Sequence, residues 1–231
     1  MTFERFRSRR RLRAFATVVL LRVLSGSPAT ALADDNCIVL DDFRTSAVGQ
    51  FPADWKVRKD AAKKAYTVKE EQGTRFLHAQ AEGLGVQAAK QVEWNLDEYP
   101  ILAWRWRPVA FPNGADERES SRNDSVLAVY LLVPYSNIRG PRAVKYIWSE
   151  QARVGTSLES NMGLTKVRVI RSGRAGINAW SEERVDARAT YLAAFAVETA
   201  PKPAGFGVLT DADDTKSTAT GDYADFRACR R

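Results

Sequence analysis

The sequence predicts a mostly β domain, a two-sheet antiparallel jelly-roll sandwich with one short helix. Two observations carry this prediction. Around ten short stretches of strand-like composition are separated by turn residues. Within several of these stretches, apolar residues alternate with polar ones. An alternation with a period of two residues is typical of a strand that buries one face.

The strand candidates follow one another along the whole chain after residue 36. In chain order they cover 37–43, 66–69, 75–80, 85–92, 101–109, 126–133, 144–148, 165–171, 206–210 and 223–229. The stretch 126–133 is apolar throughout, which favours a central strand that is covered on both faces. The polar stretches 112–124 and 211–221 are expected to be loops.

One segment, 182–195, has the periodicity of a helix. Its apolar stripe consists of Val185, Ala189, Leu192 and Phe195. Ser181 is the expected N-cap, and Glu182 and Glu183 would then lie at the positive end of the helix dipole. The segment therefore predicts a single helix in an otherwise β domain.

The first 33 residues have the composition of a cleavable signal peptide. Arginines crowd residues 5–13, an apolar run follows over 14–24 with Arg22 inside it, and small residues end at Ala33. The apolar run is shorter than the ~20 residues that span a bilayer. We therefore expect a signal peptide at 1–33, one domain at 34–231, and a periplasmic or secreted protein. An amphipathic surface helix or an unusual anchor is the alternative.

Most of the positive charge belongs to this leader. The whole chain carries a formal net charge of +7, but seven arginines and one glutamate fall within 1–33. Residues 34–231 hold 28 basic and 27 acidic side chains, a net charge of +1. The basic pI is therefore no argument for nucleic-acid binding, and we expect no nucleic-acid partner.

Two cysteines, Cys37 and Cys229, lie close to the two ends of the predicted domain. An oxidising compartment favours a disulfide between them. By the chain-entropy model, closing so long a loop stabilises the fold by about 4–5 kcal/mol. The alternative is two unpaired thiols. The spacing does not match a metal site or a redox pair, and the single histidine, His78, is distant in sequence.

Several motifs occur in a characteristic order. They are LDDF at 40–43, FPADW at 51–55, YPILAWRWR at 99–107, NDS at 123–125, KYIW at 145–148, WSEER at 180–184, TDADDT at 210–215 and GDYADF at 221–226. Over about residues 38–228 this run resembles DUF3047, a family of exported bacterial proteins of unknown function. The resemblance implies a β-sandwich with no established activity and offers no catalytic residues. The strand pattern is also similar to the jelly rolls of carbohydrate-binding modules, which does not determine function.

The strand candidate 101–109 places Trp104 and Trp106 on one face and Arg105 and Arg107 on the other. Large aromatic side chains on one face of a strand favour burial in the core, although exposed rings would be able to stack on sugars. With the tryptophans buried, the two arginines point outward.

Neighbouring strand candidates extend this basic pattern. The alternation in 165–171 predicts that its valines point inward and that Lys166 and Arg168 point outward, and Lys145 is placed similarly in 144–148. If the strands align, these three residues and the two arginines form a basic stripe on one sheet face. The stripe would bind an acidic glycan or a phosphate-bearing envelope component. The alternative is a solvated face that keeps the sheet soluble.

The loop residues Asp211, Asp213 and Asp214 offer the oxygen ligands that calcium prefers, and Asp222 would be able to add another. The spacing does not match an EF-hand, and Asx-type turns explain the same residues equally well. Calcium is the one cofactor that the sequence suggests.

Recognisable catalytic motifs are missing from the sequence: there is no Gly-x-Ser-x-Gly, His-Glu-x-x-His or Walker loop. His78 is interpreted as a strand residue. We therefore expect an exported, non-catalytic binding module for an acidic glycan or another anionic envelope ligand. The alternatives are a polysaccharide hydrolase with a carboxylate pair, for which Glu182 and Glu183 are the candidates, and a structural envelope protein with a protein partner.

Overall fold

In the computed structural model, which describes residues 36–231, thirteen strands and one α-helix form two packed sheets. The strands are β1 (Cys37–Asp41), β2 (Trp55–Val57), β3 (Tyr66–Glu71), β4 (Thr74–Glu82), β5 (Ala88–Gln91), β6 (Ile101–Ala110), β7 (Leu127–Ser136), β8 (Gly140–Ser149), β9 (Ser157–Ser160), β10 (Thr165–Ser172), β11 (Ser181–Asp186), β12 (Gly205–Leu209) and β13 (Thr218–Cys229). The helix α1 covers Ala187–Phe195, and two 3-10 turns cover Asp60–Ala65 and Asn161–Gly163. The predicted signal peptide lies outside the described residues.

The strands pair in an order that differs from their order along the chain. Sheet A has the order β11-β6-β13-β4-β3, and β1 also pairs with β13. Sheet B has the order β2-β5-β12-β7-β8-β10-β9. The predicted two-sheet sandwich with one short α-helix is therefore confirmed, and its pairs are antiparallel except for β8 and β10. That pair is parallel because the chain leaves β8, forms β9 at the sheet edge, and then returns between them as β10.

The core between the sheets contains a layer of large aromatic side chains. Trp104 and Trp106 are fully buried, so their predicted place in the core is confirmed. The Trp106 ring centroid lies 5.9 Å from that of Trp148 on β8, and the Trp104 centroid lies 5.8 Å from that of Tyr146. These contacts join the centre of sheet A to the centre of sheet B. The apolar stretch 126–133 forms β7, a central strand of sheet B, as predicted.

The disulfide predicted between Cys37 and Cys229 is present. The two residues face each other in the antiparallel pairing of β1 with β13. Such a bond is compatible with an oxidising, extracytoplasmic compartment. Among the helices of the described residues, none has the length and apolar character that crossing a membrane requires.

The prediction for the segment 182–195 is wrong in its first turn. Residues 181–186 form β11, which pairs with the outer edge of β6, and the helix begins only at Ala187. The N-cap is Asp186 instead of Ser181, and its carboxylate accepts a hydrogen bond from the Ala189 amide at 2.8 Å. The edge of β6 decides this outcome, because its amide and carbonyl groups need partners that a helix over the same residues would not provide.

Replacing Asp186 by alanine is expected to lower the free energy of unfolding by about 1 kcal/mol, because the amide at the helix start loses its side-chain acceptor. Asp186 also forms an ion pair with exposed Arg231. Arg231→Ala is the matched control, since it removes that ion pair alone and should change stability by less than about 0.5 kcal/mol. Urea denaturation measures both variants, and equal losses would contradict the capping role.

Candidate functional site

The five basic residues predicted to form one stripe lie in three places. Arg105 and Arg107 are on β6 in sheet A, whereas Lys145 is on β8 and Lys166 and Arg168 are on β10 in sheet B. A shared face would have required β6 to be a neighbour of β8 or β10. Because the strand order places them in different sheets, the expected continuous stripe is not formed.

The side-chain directions on β10 are the reverse of the prediction. Lys166 pairs with Val144 and Arg168 pairs with Tyr146, so both cations share the side of the sheet that carries the main core. Near the helix, the Lys166 ammonium lies 5.7 Å from the Phe195 ring centroid.

The valines of β10 lie on the opposite face of sheet B. Val167 and Val169 pack in a second apolar cluster with Ala128, Ile147 and Leu209. The prediction failed because sheet B has apolar clusters on both faces, so an alternating strand does not by itself reveal which side is the main core.

Lys145 is buried on the outer side of sheet B. Its ammonium lies 5.7 Å from the Tyr130 ring centroid. Burial acts to lower the pKa of Lys145, but Tyr130 and the carboxylates of Asp211 and Glu117 raise it overall. The lysine is therefore a charge partner of buried acids and presents little of its surface to solvent.

The outer face of sheet A contains a groove of about 300 Å³, called here the sheet A groove. It is lined by Glu71, Gln72, Thr74, Phe76, Arg105, Arg107 and Trp180. The two guanidinium carbons lie 5.0 and 4.6 Å from the centroid of the partly exposed Trp180 ring. Phe76 packs edge-on against the same ring, with the centroids 5.5 Å apart. The groove thus combines aromatic surface with planar cationic donors.

A hydrogen-bonded array holds Arg107 in place at the base of the groove. Its Nε donates to Asp222 Oδ2 at 2.7 Å, and its Nη1 donates to Glu71 Oε2 at 2.9 Å. The other oxygen of Asp222 lies 2.6 Å from His78 Nδ1 on β4. Burial acts to lower the pKa of Arg107, but Asp222 and Glu71 raise it overall. This array was not predicted from the sequence, because it forms where the outward positions of four neighbouring strands, β6, β13, β4 and β3, meet.

Arg105 is the more available cation of the groove. Its side chain is 35% exposed, against 16% for Arg107, and it makes one ion pair, at 3.3 Å, with Asp225. The guanidinium group has five N–H donors in a planar fork. Within residues 36–231, Asp225 is the hydrogen-bond acceptor of this group, so the remaining donors are open to a ligand in the groove.

The proposed carboxylate pair of Glu182 and Glu183 is not formed. The two residues are adjacent on β11, so their side chains point to opposite faces. Glu183 accepts hydrogen bonds from Trp106 Nε1 and Arg171 Nε. Glu182 pairs with Arg105 in register and lies on the outer face of sheet A.

Two of the three predicted calcium ligands, Asp213 and Asp214, lie close to Asp124, which was not predicted as a ligand. One oxygen each of Asp124, Asp213 and Asp214 lie within 4.8 Å of one another. Asp124 is buried and accepts hydrogen bonds from the amides of Asp214 and Thr215, at 3.1 and 2.8 Å. These bonds hold the loop against the residues that open β7.

Asp211 lies beside this cluster and is 9% exposed. Among the described residues, no donor hydrogen-bonds to its Oδ1. A Cβ atom added to Gly85 would lie 2.4 Å from Asp211 Oδ1 and 2.6 Å from Asp213 Oδ1, so both carboxylates face the same glycine. Burial raises the pKa of Asp211 to about 8, with the Lys145 charge acting in the opposite direction.

Comparison with known proteins gives a family match and similarity to solved structures. The sequence pattern of the family described as "Protein of unknown function (DUF3047)" matches residues 53–227. A solved structure titled "Structural analysis of an exo-beta-agarase" is similar over 84% of this chain, with 11% sequence identity and a TM-score of 0.38. The matched region spans 25% of that chain. Among curated proteins, none matches the sequence significantly.

Proposed function

The chain belongs to the DUF3047 family of proteins of unknown function, and we propose that it is an exported module that binds an acidic glycan in the sheet A groove. The single observation that carries this proposal is the partly exposed Trp180 ring, with two guanidinium groups stacked against it on an open sheet face.

Carbohydrates present both kinds of surface that the groove complements. The C–H faces of a sugar ring pack on aromatic rings, and its hydroxyl groups need fixed polar partners. The partly exposed Trp180 offers the aromatic surface and is supported by the buried Phe76, while Arg107 and Glu71 are held in place by their mutual hydrogen bond. A groove of about 300 Å³ is at the small end of ligand sites and suits one or two sugar units.

The preference for an acidic sugar rests on Arg105. Arg107 already binds two carboxylates, so little of its charge remains for a ligand. Arg105 has one longer ion pair and a more exposed side chain. A guanidinium binds a carboxylate through two parallel hydrogen bonds, and a uronic acid would provide that carboxylate.

The predicted compartment agrees with this proposal. The disulfide suits the periplasm or the extracellular space, where envelope polysaccharides are found. The near-neutral charge of residues 34–231 argues against nucleic acid as the ligand. The opposite directions of Glu182 and Glu183 remove the candidate pair for a hydrolase, so we propose binding without catalysis.

Isothermal titration calorimetry of the protein with oligogalacturonate and with cello-oligosaccharide tests the proposal. Trp180→Ala should weaken binding at least tenfold, because about 1.4 kcal/mol of ring contact is lost. Arg105→Ala should weaken oligogalacturonate binding by about tenfold and reduce its salt dependence, with little effect on a neutral oligosaccharide. Trp180→Phe keeps an aromatic ring on Phe76 and should retain part of the affinity.

Arg122→Ala is the matched control, because Arg122 is a similarly exposed arginine whose ion pair with Glu119 lies outside the groove. It should bind as the unaltered protein does. Unchanged affinity in Trp180→Ala would overturn the assignment of the groove. A structural role would replace the proposed glycan binding under two joint results. The unaltered protein would bind neither acidic nor neutral oligosaccharides, and crosslinking in cells would capture a protein partner.

A further inference from the structure

We propose that the loop 211–215, together with Asp124, is a calcium-binding site. The site would lie beside the end of β12 and the start of β7 in sheet B, on residues that the proposed glycan groove does not use. It is independent of the proposed function, since it would stabilise a loop of the fold.

Three carboxylates are already at ligand distance from a shared centre. An oxygen from each of Asp124, Asp213 and Asp214 lies within 4.8 Å of the others, and two calcium–oxygen bonds of 2.3–2.6 Å span such a separation. Asp213 and Asp214 are not buried, so waters would be able to complete the coordination. The loop backbone is held by Asp124 through the amides of Asp214 and Thr215, which fixes these carboxylates near one another without a bound ion.

The buried carboxyl group of Asp211 is a separate indication that a cation binds here. Its Oδ1 lies with Asp213 Oδ1 on the same side of Gly85 and receives no hydrogen bond from the described residues. An unpartnered carboxylate oxygen beside other carboxylates destabilises a fold by desolvation and by repulsion. A divalent cation held by Asp124, Asp213 and Asp214 would offset this cost, because it would place positive charge beside the Asp211 carboxyl group.

The basic groups around the cluster do not balance it. Lys145 acts on Asp211 from the sheet, and the Lys216 ammonium donates to the main-chain oxygen of Asp213. The side-chain amide of Asn123 lies 3.4 Å from Asp214 Oδ2. Three carboxylates and the buried Asp211 carboxyl group thus lie near one buried ammonium and one exposed lysine, whose ammonium binds a carbonyl oxygen.

The donor chemistry selects calcium among divalent cations. Every candidate ligand is a carboxylate oxygen, which suits hard cations and disfavours zinc, whose sites are rich in histidine and cysteine. Calcium accepts irregular geometry and six to eight ligands, whereas magnesium demands a near-ideal octahedron. Three loop carboxylates with an irregular arrangement therefore fit calcium better than magnesium.

Thermal denaturation and calorimetry with calcium, with magnesium and with chelator test the site, at matched ionic strength. Calcium sites of extracellular modules have Kd values of about 0.1–1 mM. At 10 mM calcium we therefore expect the Tm to rise by about 3–8 °C relative to chelator. Asp213→Asn and Asp214→Asn should each weaken calcium binding at least tenfold and remove most of this shift.

Asp54→Asn is the matched control, because Asp54 is an exposed aspartate far along the chain from the cluster. It should keep the full calcium response. The proposal is overturned by equal Tm values in calcium and chelator, by an equal response to magnesium, or by a full response in Asp213→Asn. Calorimetric titration of calcium reports binding directly, so a variant with lower intrinsic stability still gives a result.

Discussion

Replacing Cys37 by serine and Cys229 by alanine is expected to lower the free energy of unfolding by about 4–5 kcal/mol. The bond joins residues that are 192 positions apart, so its removal frees almost the whole unfolded chain. Alanine is chosen at Cys229 because that side chain is fully buried, and a serine hydroxyl there would add a desolvation penalty.

The structure predicts where the loss is felt first. β1 pairs with β13 over four residue pairs, and its last residue, Asp41, accepts hydrogen bonds from Trp55 Nε1 and Lys90 Nζ at 2.7 and 2.9 Å. Without the disulfide, these contacts, the short pairing and the core packing of Leu40 hold β1 in place. We therefore expect hydrogen exchange of the β1 amides to increase more than that of β6 or β7.

Urea denaturation with and without reductant measures the effect. Reduction of the unaltered protein should reproduce the loss seen in the double variant, and reductant should have no effect on that variant. Coincident urea midpoints for the oxidised and reduced protein would contradict the predicted stabilisation.

Replacing Asp222 by alanine is expected to lower the free energy of unfolding by about 3–5 kcal/mol, which is the range for removing one partner of a buried ion pair. Asp222 is 1% exposed and bonds both Arg107 and His78. Its loss leaves the largely buried guanidinium with Glu71 as its remaining carboxylate partner. Glycan binding should fall as well, because Arg107 is no longer fixed below Trp180.

Glu71→Gln is the matched control, since it removes the other carboxylate partner of Arg107. Glu71 is half exposed, so we expect a loss of less than about 1 kcal/mol. A double variant, Asp222→Ala with Arg107→Met, should recover part of the stability because no buried charge remains unpaired. Similar losses for Asp222→Ala and Glu71→Gln would show that burial of the aspartate is not decisive.

Short-range patterns in the sequence were sufficient for several elements. The alternation over 101–109 predicted a strand with buried Trp104 and Trp106, and the apolar run over 126–133 predicted a central strand. The segment 182–195 shows the limit of this reasoning. Its charged first turn satisfies the preferences of a helix start, but pairing with the open edge of β6 turns residues 181–186 into a strand.

The candidate sites depended on strand order, which local patterns do not contain. Arg105 and Lys145 both lie on strands in which apolar and polar residues alternate, yet those strands belong to different sheets. His78 and Asp222 are 144 residues apart and meet because β4 pairs with β13. Asp124 joins the acidic loop across a sequence separation of about 90 residues, through hydrogen bonds to that loop.

By itself the sequence determined the β-sandwich class and the buried faces of the clearest strands, because both depend on residue periodicity. It also determined the family resemblance from the order of the motifs, and the disulfide from the positions of the two cysteines. The tertiary structure alone decided which charged residues share a surface. Side-chain direction along one strand has a period of two whatever the fold, whereas the neighbours across a sheet follow from long-range pairing. For that reason Trp180 with Arg105 and Arg107, and Asp211 with Asp124, became visible as candidate sites only in the folded chain.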